Sequence, residues 1–167
     1  SISVFGVASI ANSQTIRIGT EGAYPPWNNL NSAGELEGAE IDFGNEACKR
    51  MGVTCEWVTQ DWDGIIPALL QGKYDIIIAG MSITEERKEK VNFTTGYMTD
   101  GARFAVLKNS GLANLNIAGM AKVNLNNAGG KEQAAIGQLI AAMDGKTVCV
   151  QSSTIHQNFL EKHMSGA

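Results

Sequence analysis

The stretch TCEWVTQDWDGIIPALLQGKYDIIIAG, residues 54–80, contains the strand–helix–strand pattern on which the fold assignment rests. The β-branched and aromatic residues of 54–59 predict a strand. Residues 62–72 predict a short helix, with Asp63 as a candidate N-cap. Residues 74–80 predict a second strand that is almost wholly apolar, which is typical of a parallel sheet with helices on both faces.

The residues before this stretch continue the same alternation. TIRIGT at 15–20 predicts a strand, and EIDFGNEACKRMG at 40–52 predicts a helix that ends at Gly52. In the same way, Gly72 is expected to end the helix that precedes the second strand. The order βαβαβ predicts an α/β fold with a mostly parallel sheet.

Beyond Tyr97 this alternation is interrupted. A segment rich in Gly, Asn and Ala at 109–130 predicts an excursion from one lobe to another. The other predicted elements are strands at 103–108 and 147–151 and helices at 131–146 and from Ser153 or Thr154 onward. So few elements cannot bury a core, and we therefore expect a second lobe that continues beyond residue 167.

The composition is that of a globular protein, with 44% apolar and 18% charged residues. The net charge of −4 argues against a nucleic-acid partner, because a basic patch is what releases counterions from phosphates. No apolar run has the length of a membrane span.

The first residues, 1–14, are small and apolar and carry no charge. They include Ser9-Ile10-Ala11, which fits the small-x-small cleavage pattern of a secretory signal. We interpret 1–14 as the remnant of a signal peptide, and a flexible N-terminal arm is the alternative. The first interpretation predicts export of the mature protein.

The cysteines agree with export. Cys48 and Cys55 lie seven residues apart, at the end of a predicted helix and the start of a predicted strand, and in an exported protein they predict a disulfide. A zinc site would need further ligands, and His156 and His163 lie far along the chain. Cys149 falls in a predicted apolar strand, where we expect a buried free thiol.

Several longer motifs resemble those of one protein family. They are TIRIGTEGAYPPWN, IDFGNEACKRMGVTCEW, WDGIIPALLQGKYDIIIAGMSITEER, VNFTTGY and GKTVCVQSSTIHQNFLEK. Together they resemble the family 3 periplasmic solute-binding proteins of ABC importers. Within that family the match is to the lysine/arginine/ornithine and histidine binders and, more closely, to the octopine/nopaline branch.

The resemblance implies a two-lobe α/β fold with hinged mixed sheets. Lobe I would span 15–103, and a hinge strand with part of lobe II would span 104–167. It further implies a monomer that binds a basic amino acid or opine without a cofactor or metal and delivers it to an ABC permease in the inner membrane.

Arg87 is the best candidate to bind the ligand carboxylate. A guanidinium offers two parallel donors that match a carboxylate, which a lysine cannot do. In the resembled family, the arginine of the motif SIT-x-x-R has this role. The alternative is a surface arginine that pairs with its acidic neighbours, an interaction that contributes little.

Three residues at the end of the last predicted strand of lobe I complete this part of the candidate site. Ser82 offers a hydroxyl and a backbone N–H to the carboxylate, and the carbonyl of Gly80 can accept from the ligand ammonium. Family members that bind basic amino acids often have serines where this chain has Ala79 and Gly80. The smaller residues would leave room for the bulkier α-amino substituent of an opine, or they only pack the strand end.

From lobe II, the residues Ser153, Thr154 and Ile155 begin a predicted helix, whose free backbone N–H groups would bind the same carboxylate. A plain N-cap is the alternative. Glu21 corresponds to an acidic position that faces the distal cation of a basic ligand in the resembled family. Tyr24 and Trp62 would form aromatic walls for that cation.

Two other functions remain open at this point. A sensor domain with the same fold would be attached to a receptor or kinase. A periplasmic dehydratase of the cyclohexadienyl type would need a catalytic carboxylate, for which Glu21 is the candidate. We expect a binding protein and not an enzyme, because the sequence contains no nucleophile–base pair and no phosphate-binding loop.

Overall fold

A computed structural model describes residues 14–117 and 129–164, and in it the chain divides into two compact units, Ser1–Phe93 and Thr94–Ala167. The predicted signal remnant lies outside the described residues except for residue 14. The predicted lobe boundary after residue 103 lies later in the chain than this division.

The first unit is built on a three-stranded parallel sheet. In it, β1 (Thr15–Thr20) lies between β5 (Thr54–Thr59) and β6 (Ile76–Ile77). The central strand β1, Thr15–Thr20, pairs with β5, Thr54–Thr59, from Thr15↔Thr54 to Thr20↔Thr59. Both strands and their parallel pairing confirm the prediction.

The third strand is shorter than predicted, because β6 covers Ile76–Ile77 alone. Its ladder to β1 is extended slightly by the backbone N–H groups of Asp75 and Ile78, which donate to β1 carbonyls. Before β6 the Tyr74 ring packs against Gly19 of β1, and after it Gly80 adopts a φ of 60°, which lies outside the β region.

A second sheet was not predicted. It is antiparallel and occupies the chain between β1 and the first helix. In sheet order, its strands are β2 at Ala23–Tyr24, β3 at Asn28–Leu30 and β4 at Leu36–Glu37. Strands of two or three residues carry too little alternation to be recognised in a sequence.

The helices of this unit follow the predicted order. Helix α1, Ala39–Met51, ends at Gly52, whose φ of 69° is left-handed as a glycine cap requires. A 3₁₀ turn at Trp62–Gly64 precedes α2, Ile65–Leu70, and α3 is the short helix Glu85–Lys88. The prediction that Asp63 caps a helix is wrong, because Asp63 lies inside the 3₁₀ turn.

Two apolar clusters lie beside the parallel sheet. One contains Ile65 and Ala68 of α2 with Tyr74 and Ala79. The other joins Ile18, Cys48 and Ile78. The neighbours Ile78 and Ala79 thus contribute to different clusters, as the alternating side chains of an extended segment covered on both faces should.

In the second unit the two predicted helices are present as α4, Gly130–Met143, and α5, Ile155–His163. The strands predicted at 103–108 and 147–151 are not formed. A strand needs a neighbouring backbone to complete its hydrogen bonds, and within the described part of this unit no segment pairs with either stretch. Among the described residues, no helix combines the length and apolarity required to cross a membrane.

The cysteine predictions are confirmed in one part and wrong in another. Cys48 of α1 and Cys55 of β5 form a disulfide. Cys149 is a free thiol as predicted, but it is exposed and not buried. The expected burial depended on a strand at 147–151, and without ladder partners this segment is not covered.

We predict that the disulfide stabilises the first unit. The variant Cys48→Ser/Cys55→Ser should lose about 2 kcal/mol of unfolding free energy, because the bridge closes a short loop in the unfolded chain. Urea titration of the oxidised protein measures this loss. Cys149→Ser is the matched control and should change stability by less than about 0.5 kcal/mol. Equal stability of the double variant and the oxidised wild type would contradict the prediction.

Candidate functional site

The first unit brings together residues that follow two parallel strands. Glu21 comes directly after β1, and Ala79, Gly80 and Ser82 follow β6. Because β1 and β6 are parallel neighbours, their carboxyl ends lie at one edge of the sheet. In open α/β sheets this edge is where ligands bind.

Tyr24 lies against Gly80. A Cβ added to Gly80 would be 3.1 Å from Cε1 of Tyr24, so the ring covers the face of the glycine. The phenol side chain of Tyr24 is also 40% exposed, as an aromatic wall of a ligand site would be. The room that a glycine at position 80 was expected to leave for an opine substituent is filled by the Tyr24 ring in this structure.

Arg87 is held in place by several contacts. Thr84 caps α3 by accepting from the backbone N–H of Arg87 at 3.2 Å. The guanidinium Nη1 donates to the carbonyl of Ser82 at 2.8 Å, and Cζ lies 5.4 Å from the ring centroid of Trp62. The side chain is therefore directed back towards the segment that follows β6.

The electrostatic environment of Arg87 differs from that of a solvated arginine. The residue is half-buried, and burial lowers its pKa from the usual value, while the nearby carboxylate of Glu86 acts in the opposite direction. In the same helix, the exposed Lys88 pairs with Glu85 at 2.7 Å. Partial burial of a fixed guanidinium strengthens its interaction with an incoming anion, since less solvent screens the charge.

Trp62 has a contact that its predicted role did not include. It was predicted to face the distal cation of a ligand, and here its ring faces the guanidinium of Arg87. Trp62 also packs against the cluster of α2. Trp57 of β5 lies against Gly44 of α1 and donates from Nε1 to Asn45 at 2.9 Å, so it has a packing role.

Glu40, the second residue of α1, was not predicted to belong to the site. Its carboxylate is 2% exposed and accepts from the backbone N–H of Gly80 at 2.7 Å and from Nδ2 of Asn28 at 2.7 Å. Asn28, fully buried, accepts in turn from the N–H of Gly22 at 2.8 Å. A glutamate in the first turn of an amphipathic helix is ordinarily interpreted as solvated charge, so the sequence contained no signal for this network.

The three remaining predicted residues lie in the second unit. Thr154 is the N-cap of α5 and accepts from the N–H of Gln157 at 3.2 Å, which confirms the capping alternative. Ser153 has a left-handed φ of 58°, and its N–H donates to Oε1 of Gln157 at 2.7 Å. Ile155 is the first residue of the helix.

The arrangement in the first unit combines a cation, a carboxylate and an aromatic wall near one sheet edge. Arg87 can bind an anion, Glu21 can attract a cation, and Tyr24 can cover an apolar or planar group. Among the described residues, no group of three or more His, Cys, Asp or Glu could hold a metal ion. A cation, a carboxylate and an aromatic wall are what a small charged ligand would require of a binding site.

The chain was compared with known proteins. The family of bacterial extracellular solute-binding proteins, family 3, matches residues 16–161. An octopine-binding periplasmic protein of Rhizobium meliloti is 43% identical over 157 residues, which cover 94% of this chain and 53% of the relative. The chain spans about half the length of the curated relatives it matches.

Two solved structures extend this comparison. A periplasmic His/Glu/Gln/Arg/opine family-binding protein from Silicibacter pomeroyi, in complex with lysine, is 59% identical, with a TM-score of 0.50 over 52% of this chain and 39% of that one. A Salmonella typhimurium periplasmic binding protein with high arginine specificity is 26% identical, with a TM-score of 0.65 over 92% of this chain and 58% of that one. The predicted α/β fold is confirmed.

We predict that position 80 does not accept a side chain. Gly80→Ala combines a left-handed φ with a close contact to the Tyr24 ring, whereas Gly52→Ala at a φ of 69° meets nothing within 4 Å. Gly52→Ala is the control and should lose about 1 kcal/mol of unfolding free energy. Gly80→Ala should lose clearly more unfolding free energy than this control.

Urea titration of both variants measures this difference. The excess cost at position 80 should shrink when Tyr24→Ala is combined with Gly80→Ala, because the two residues are in contact. Equal costs at positions 80 and 52 would contradict the contact.

Proposed function

Because the chain belongs to the bacterial extracellular solute-binding proteins of family 3, as its motifs predicted, we propose that it binds a basic amino acid or an opine. The ligand would be held between two lobes in the periplasm and delivered to an ABC permease in the inner membrane. The observation that carries this proposal is Arg87 of α3, which is half-buried and whose guanidinium is held by the Ser82 carbonyl and the Trp62 ring.

Arg87 supports recognition of the ligand carboxylate. A guanidinium presents its donors in a planar fork that fits a carboxylate, and the Ser82 carbonyl together with the Trp62 ring limits the orientations of that fork. The Ser82 hydroxyl and backbone N–H would donate to the same carboxylate, and the Gly80 carbonyl on the same segment would accept from the ligand ammonium.

Glu21 and Tyr24 support a cationic side chain. Glu21 follows β1 directly and Tyr24 lies in β2, three residues further on, so a planar cation placed beside Glu21 could also stack on the phenol ring. The names of similar proteins, which include octopine, L-arginine, lysine/arginine/ornithine and histidine binders, agree with this choice of ligand class.

The second unit would contribute Ser153, Thr154 and Ile155 at the start of α5. The N–H of Ser153 donates to Gln157 in this structure, so a ligand carboxylate bound there would have to replace the Gln157 oxygen. Binding from both lobes would stabilise the closed form by the differential affinity of the ligand for the two conformations. We propose a monomeric binding protein that performs no covalent step.

The ligand class is tested by the melting temperature of the complete protein. Arginine, lysine, ornithine, histidine, octopine and nopaline are the candidates, and a ligand at about 100 times its Kd should add about 2.7 kcal/mol of stability. Citrulline, which has the shape of arginine without its charge, should bind at least about tenfold more weakly. No shift with any candidate would contradict the proposed function.

Glu21→Gln refines the same test. The variant should lose affinity for arginine by about tenfold or more and leave citrulline nearly unchanged, because only arginine has the opposite charge. The matched control is Glu35→Gln, an exposed glutamate in the turn between β3 and β4, which should bind both ligands normally. Equal losses for the two ligands would rule out a cation beside Glu21.

Arg87→Ala should weaken amino acid binding by about 2–5 kcal/mol, measured by titration calorimetry of the complete protein, because the ligand carboxylate would lose its buried partner. Arg87→Lys should restore little, since an ammonium lacks the planar fork. The control Arg50→Ala removes an exposed arginine paired with Glu46 and should bind normally. Wild-type affinity of Arg87→Ala would exclude the carboxylate contact.

A further inference from the structure

We propose that Glu40 is a positioning residue that couples the two loops of the candidate site, an inference that rests on the proposed function. One loop follows β1 and contains Glu21, and the other follows β6 and contains Gly80 and Ser82. Glu40 is bonded directly to the second loop and, through Asn28, to the first.

The network is a directed chain of hydrogen bonds. Gly80 donates to Oε1 of Glu40, Nδ2 of Asn28 donates to Oε2, and Gly22 donates to Oδ1 of Asn28, all at 2.7 or 2.8 Å. Each bond to the carboxylate is charge-assisted and therefore stronger than a bond between neutral groups. Gly22 is adjacent to Glu21, so a shift of this amide moves the residue proposed to face the ligand cation.

The burial of this network argues for a positioning role. A carboxylate that is 2% exposed has lost almost all its water, and the bonds to Asn28 and Gly80 offset part of that cost. The first turn of α1 contributes as well, since the positive end of the helix dipole stabilises a negative charge there. A buried charge of this kind aligns groups in one geometry, whereas apolar packing would allow several.

An amide cannot replace this carboxylate. Glutamine at position 40 has one acceptor oxygen, so its Nε2 group must face either the N–H of Gly80 or Nδ2 of Asn28. If the Asn28 amide rotates so that its oxygen faces Nε2 of the glutamine, its own Nδ2 group then faces the N–H of Gly22. Two donors again face each other, now at Gly22. Only a second change, Asn28→Asp, restores all three bonds. The aspartate has one acceptor oxygen for the N–H of Gly22 and another for the side-chain amide at position 40. The number of charges in the network stays the same.

The experiment compares the complete wild-type protein with variants that carry Glu40→Gln, Asn28→Asp or both. Hydrogen exchange reports the amides of Gly22 and Gly80, and calorimetry reports the Kd for the arginine-class ligand identified by thermal shift. Each single variant should lose protection at both amides and raise Kd by about tenfold, because a buried donor or acceptor loses its partner. The double variant should recover protection and bind within about threefold of wild type.

Glu37→Gln is the matched control. Glu37 accepts from Asn29 at 3.4 Å on the exposed side of the same small sheet, so the change breaks a Glu–Asn pair that links no loops of the site. Its Kd and its protection at Gly22 and Gly80 should equal those of wild type. Amides of β1 and β5 report whether each variant keeps the fold.

Each outcome decides one point. If Gly22 keeps its protection in Glu40→Gln, the coupling is overturned whatever the ligand results are. If protection falls while Kd is unchanged, the positioning role is overturned and the proposed function stands. If the wild-type protein binds no ligand, the proposed function is overturned. The positioning role is then overturned as well, even if hydrogen exchange shows that Glu40 couples the amides of Gly22 and Gly80. Should Glu40→Gln not fold, a double variant of wild-type affinity supports the positioning role, and a weakly binding one overturns it.

Discussion

The buried carboxylate of Glu40 joins three segments that are separated in the chain: the small antiparallel sheet, the start of α1 and the loop after β6. Its two oxygens accept from Asn28, which is buried, and from the backbone of Gly80, which is partly buried, so both donors are satisfied although they have little access to water. Because such donors are costly to leave unsatisfied, the geometry of these segments is interdependent. Glu21, Tyr24, Gly80 and Ser82 all lie in or beside the segments that this group connects.

The parallel sheet provides the frame for this arrangement. Strand β1 lies between β5 and β6, with a helix contributing to the apolar cluster on each side. Near its start, Arg17 binds the carboxylate of Asp75 at 2.7 Å and the carbonyls of Gly72 and Lys73. The hydrogen bonds from Arg17 lower the pKa of Asp75. These contacts are exposed and stabilise little, but they fix where the chain enters β6.

Arg87 illustrates how partial burial changes the role of a charged residue. The motif around it contains three other charged side chains, Glu85, Glu86 and Lys88, and such a cluster is ordinarily solvated. The Ser82 carbonyl and the Trp62 ring instead hold the guanidinium beside the segment that follows β6. Removal of water from one face of the guanidinium is what makes it suitable for an anion.

Local patterns in the sequence were sufficient for the parallel strands β1 and β5, helices α1, α2, α4 and α5, the disulfide and the family motifs, because each depends on neighbouring residues. Contacts between distant segments could not be predicted in this way. They include the early end of β6 at Ile77, the small antiparallel sheet, the exposure of Cys149 and the burial of Glu40. Whether a carboxylate is solvated or buried depends on which backbone amides the folded chain brings to it, and sequence spacing contains no information on that.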